Sequence, residues 1–547
     1  MRLLPALCLL PAAGALLFAQ PRPLSEDLCI APPGARPSLP ARLLPGQGRA
    51  HLTITTRSPQ AQEFFNQGLA QLHSFFSREA ERSFLQAAQL DPDAPMPHWG
   101  VAMAAAGDYR PAFQLADDRG QRRPAGVRPR SWDKAAFGPS GPERAREAAA
   151  RASELARNGD AREKLYIAAV AARRNPASKD PEGDYIRAWR HLLREFPREW
   201  EAASFLALAL MSGYTPVDKK PRQGTSEAAA WLEEILKHDP DHVGAHHYVI
   251  HALEGSSRAQ DAWHSSKRYP ELAPQIPHAL HMPGHIYVQT GRWADAAQAF
   301  EQAARKEREL MSADQLYGSG HHGHNLHFLA STYCFLDKYS AALEVSAELL
   351  AIRETPREAS QLTNTRTAHR QGWFARLRTL VHFRQWDQIL DGVQLPEYPG
   401  PRERAWRHWA RGLALAARGE TASAAAESKR LDEQMTAWEK AYGSPSPQLA
   451  VAKMELEAQL ELRSGRAAKG LDLLERAANL ELRLRYNEPP SYPRPVWEAL
   501  GQSAMEWRDF ARAESAFRRA LQQNPASAAA QKGLAAALQQ RSLPAAP

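Results

Sequence analysis

The chain has 547 residues, 44% of them hydrophobic, which is too long for one compact core and suits several domains or one extended repeat array. Its net charge of +8 is spread over 69 basic and 61 acidic residues without a long basic run, the pattern of a solvated surface rather than of a nucleic-acid footprint.

At the N-terminus, "MRLLPALCLLPAAGALLFAQ" sets Arg2 before an apolar stretch from Leu3 to Phe18 that Pro5, Pro11 and Gly14 interrupt. That stretch predicts a cleaved secretory signal over residues 1–19 rather than a membrane anchor, and no other segment is apolar enough to span a bilayer. Cys8 follows the bulky Leu7, which argues against lipidation. The expected location is periplasmic or secreted, away from nucleic acid. After cleavage Cys29 and Cys334 remain, and their spacing leaves a disulfide undecided. Residues 20–57 are rich in Pro and Gly and read as an extended leader.

From residue 58 onward a period sets in. Gly68 and Phe84, Gly284 and Phe300, and Gly501 and Phe517 share one interval of sixteen residues. Ala80 and Ala87, Ala296 and Ala303, and Ala513 and Ala520 hold the same places within it. Trp497, Leu500 and Gly501 complete a W-x-x-L-G start, and Pro92 and Pro525 close two of the copies. This pattern resembles the tetratricopeptide repeat (TPR), a helix-turn-helix unit of 34 residues. Weaker copies fall near 243–276, 323–356, 370–403, 406–435 and 449–482. The expected fold is all-α, a TPR-type helical-hairpin solenoid or superhelix over 58–547, with a capping helix near 527–540. Residues 107–142 and 212–226 break the pattern and read as inserted loops.

Histidine is concentrated: twelve of the 20 lie between His242 and His327. His247 and His251, and likewise His278, His281 and His285, recur three or four residues apart, which places each set on one helix face. In the repeat frame these residues, together with His324, His327 and Glu254, point from three consecutive first helices toward the concave side. Packed helices sit roughly 8–10 Å apart, close enough for imidazoles on neighbours to converge on one ion. His242 could add a ligand from the rim. His246 and His264 should face packing or solvent, and His321 and His322 fall in a loop. His73 and His382 are possible neighbours only.

An imidazole-rich set suits a transition metal. Copper or zinc is favoured and iron is possible, with one or two ions. Glu254 is the candidate acid/base, or an additional ligand. Three readings stay open: a metalloenzyme (oxidoreductase or hydrolase), a scaffold binding a peptide, protein or small-molecule ligand in its groove, and a metal-delivery or buffering protein.

Beyond generic repeats, the chain resembles exported bacterial TPR proteins with HMPxHIY and HNxHF motifs, a group of no settled activity. The likeness covers most of 50–535 and rests on residues 61–104, "HVGAHHYVIHALE" (242–254), "HALHMPGHIYVQTGRW" (278–293), "HNLHF" (324–328) and "EPP" (488–490). It implies the solenoid and the importance of the histidines, and supplies no reaction.

Overall fold

A computed structural model describes residues 41–115, 139–313, 317–354, 358–359 and 365–542. The expected signal segment, Cys29 and most of the expected 107–142 insertion lie outside the described residues. The rest is helical, and among the described residues β structure is confined to an isolated bridge between Tyr214 and Pro221.

Successive helices pack pairwise along the chain, beginning with Pro59–His73 against Ser77–Leu90. Proline opens many of the first helices, as at Pro59, Pro277, Pro401 and Pro447, where a missing N–H costs nothing. The repeat glycines then let the two helices of a hairpin meet. A Cβ on Gly284 would lie 2.2 Å from the Phe300 ring, and one on Gly501 would lie 2.6 Å from Phe517. The sixteen-residue interval is therefore a contact, an aromatic ring seated on bare backbone. Helix Ala528–Ser542 closes the array.

Two large hydrophobic cores form, one from Ala41 to Ala252 and the other from Trp373 to Ala537. Between them lie the histidine-bearing helices Val243–Leu253, Pro277–Gln289 and Gly320–Phe335, which pack in sequence on one another. The last is buried from Asn325 to Phe335, so its polar residues must find partners inside the protein.

The superhelix winds tightly enough that distant repeats meet. Helix Pro59–His73 packs on Val243–Leu253, and the Trp293 indole N–H donates to the Pro525 carbonyl at 2.7 Å. Part of the leader runs extended across the first repeats, burying Leu52 and Ile54. Residues 482–495, between helices Ala467–Glu481 and Val496–Glu506, turn inward. Arg378 holds this segment through the carbonyls of Pro490, Tyr492 and Pro493.

Candidate metal centre

The three helices bring six of the expected histidines into two triads. In each of the sets His247, His251, His278 and His281, His285, His324, one nitrogen per ring lies within 4.8 Å of those of the others. His247 Nε2 faces His278 Nε2 at 3.1 Å, and His281 Nε2 faces His285 Nε2 at 2.9 Å. Three imidazoles around a tetrahedral zinc with bonds of about 2.0–2.1 Å would stand roughly 3.3–3.4 Å apart, so these spacings are close to those of a ligand set.

The outward nitrogens of five of the six rings are engaged. His247 Nδ1 donates to the His73 carbonyl at 2.5 Å, and His281 Nδ1 to Asn325 Oδ1 at 2.7 Å. His251 and His285 both donate through Nδ1 to Glu254, at 2.9 and 2.7 Å. These four acceptors are oxygens without a proton to give, since Asn325 spends its amide N–H on the Phe300 carbonyl. They fix the tautomer and turn Nε2 inward, as the outer contacts of metal-bound imidazoles do. His278 Nδ1 meets His321 Nε2 at 2.9 Å, and His321 Nδ1 rests on Glu307.

Burial, reinforced by neighbouring imidazoles, pushes His247, His278, His281 and His324 well below the usual histidine range. Burial also lowers His251, with Glu254 pulling the other way. The Nε2 atoms of His247, His251 and His281 are therefore bare acceptors, and that of His251 has no hydrogen-bond partner at all. His285 is the exception. Burial works against its charge, but Glu488 and Glu254 outweigh it and lift the ring to about 10. His285 thus holds a proton that it can share with His281. Glu254 is pulled below its ordinary value by His251 and His285 against the effect of burial.

Aromatic rings wall the site. Phe75, from the turn of the first hairpin, lies 4.4 Å from His247, while Phe300 stands 4.9 Å from His281 and Phe328 5.4 Å from His285. On one side a small cleft, lined by Phe113, Tyr214, Arg222, Arg485 and Tyr486, reaches Glu254.

Two expected ligands stand apart. His327 lies outside both triads, with Nδ1 3.2 Å from Gln371 and its ring against Phe374. His242 caps its own helix, accepting from the Ala245 N–H at 3.1 Å, and its other nitrogen is 3.7 Å from Glu201. Glu254 lies at the end of helix Val243–Leu253, beside the rings as expected, but its two oxygens are taken up by imidazole N–H groups.

Other residues at the site escaped the sequence reading. His321 and His322 are not in a loop. Their helix starts at Gly320, and they share Glu307 from the preceding hairpin. Glu488 reaches His285 from the inward segment 482–495, forming a third group with Glu254. His73 touches the site through its backbone, while its side chain turns to Glu201 and Tyr248.

Comparison with known proteins bears on the fold. Residues 279–312 and 495–527 each match a tetratricopeptide-repeat family, so the chain carries TPR units. No curated protein matches the chain. Among solved structures it is similar to yeast Tom70, at 12% identity over 89% of this chain and 90% of that one, with a TM-score of 0.28. It is also similar to a tetratricopeptide repeat protein from Parabacteroides merdae, at 11% identity over 62% and 98%, with a TM-score of 0.32. Among the described residues no helix is long and apolar enough to cross a membrane. The fold and the site together define a TPR solenoid with buried histidine and glutamate groups that could hold metal ions.

Proposed function

We propose that the protein is an exported metalloprotein in which the TPR solenoid encloses a multi-histidine transition-metal centre. The observation that carries this reading is the set of inward-facing Nε2 lone pairs of His247, His251 and His281, above all the buried and unpartnered Nε2 of His251. A buried polar atom without a partner costs about 1–3 kcal/mol, a cost that a bound cation removes. His247, His251 and His278 would hold one ion, and His281, His285 and His324 a second. The imidazole donors favour copper or zinc over calcium or magnesium.

Three protein ligands leave one position of a tetrahedral ion open, as in catalytic rather than structural sites. That supports an enzyme over a structural clip. Glu254 then orients ligands through His251 and His285, in place of the acid/base role that the sequence suggested for it. The repeats favour a second role as a scaffold for a peptide or protein, since such arrays commonly present a binding surface.

The test is elemental analysis of protein from the native compartment, alongside His247→Ala and His281→Ala. The reading expects copper, zinc or iron at one or two equivalents in the wild type and a loss in each variant. A wild type that stays metal-free after reconstitution refutes it.

A further inference from the structure

The boundary between the triads is one of ligand sets, and the packing of the rings does not follow it. Across it, His278 and His281 lie 5.9 Å apart and nearly parallel, and His251 and His285 lie 6.1 Å apart. Within the triads, ring separations run from 4.8 Å for His247 and His251 to 6.5 Å for His285 and His324. The six imidazoles therefore form one continuous box. Glu254 ties its halves together, one oxygen accepting from His251 and the other from His285.

We propose that the two triads form a single dinuclear centre that binds one small anion as a bridge between its two ions. The proposal rests on the metal reading above and adds the relation between the sites and the class of exogenous ligand. Each ion, held by three imidazoles, has a position to fill, and neighbouring positions in one box can be filled by a shared donor. Charge points the same way. Two divalent ions bring four positive charges against the carboxylates of Glu254 and Glu488, leaving an excess that a buried site must neutralise.

Space limits the ligand to a few atoms. His247 and His281 are fully buried, and Phe75, Phe300 and Phe328 pack against the rings. The small cleft that Glu254 helps to line lies beside the box, and Arg222 and Arg485 stand in its walls. Guanidinium groups there favour an anion over a cation.

The experiment loads the full mature chain with Cu(II), counts copper per chain by elemental analysis, and integrates the electron paramagnetic resonance signal with and without azide. The expected result is two copper ions per chain whose signal, with azide present, falls far below two independent spins, through magnetic coupling across the bridge. The optical change should saturate at one azide per copper pair. Two copper ions with the full intensity of two isolated spins, in the presence of azide as in its absence, overturn the dinuclear proposal and leave the metal reading standing. A chain that retains no copper, and no zinc in a parallel loading, overturns the metal reading itself.

Discussion

Replacing Glu254 with alanine tests how the imidazoles are held. Its two oxygens accept from His251 Nδ1 at 2.9 Å and His285 Nδ1 at 2.7 Å, but the two rings do not lose equally. His285 keeps Glu488, whereas His251 is left beside the Gln114 amide N–H at 3.3 Å, a donor that cannot replace a carboxylate. Removing such an outer partner typically costs 10–100-fold in metal affinity, about 1.4–2.7 kcal/mol. The expected outcome is that one equivalent of zinc weakens by roughly that factor, while the other, served by His281, His285 and His324, weakens by less than about tenfold. Competition against a chromogenic chelator resolves the two, and circular dichroism checks that the variant is folded. A folded Glu254→Ala protein that binds both equivalents as the wild type does would refute the reasoning.

Other substitutions probe the neighbouring claims. His327→Ala and His242→Ala should leave the metal stoichiometry unchanged, because His327 lies by Gln371 and His242 caps its own helix; elemental analysis checks both. Gly284→Ala forces a Cβ to 2.2 Å from the Phe300 ring, so a loss of about 1–3 kcal/mol in urea unfolding is expected from overpacking. Burial raises Glu481 to about 8 in the native state, against 4.5 for a free carboxyl. Between those values the folded chain binds more protons than the unfolded one, so its stability falls as pH rises. Glu481→Gln should flatten that slope in urea midpoints of the metal-free protein at about pH 5 and about pH 8, and an unchanged slope would contradict the assignment.

The elements that sequence exposes here are those carried by local spacing. Gly284 and Phe300 signal their hairpin because the contact they make recurs at a fixed interval, and His247 with His251 signal a shared face because a helix turns once in 3.6 residues. Glu488 could not be found that way, since it approaches His285 only after the superhelix has wound back on itself. Phe75 likewise enters from a turn whose neighbours in space are distant in sequence. His321 was hidden for a different reason. The flanking Gly318, Gly320 and Gly323 read as a loop, yet the helix begins at Gly320 and burial of the following turns holds it. His327 lies one helical turn beyond His324, the ring of that helix that joins a triad.

The most direct measurement is X-ray absorption at the edge of the metal retained by the wild-type protein. The account expects nitrogen donors at about 2.0–2.1 Å with the multiple-scattering signature of about three imidazoles per ion. A first shell of water or carboxylate oxygens with no imidazole scattering would contradict the histidine centre.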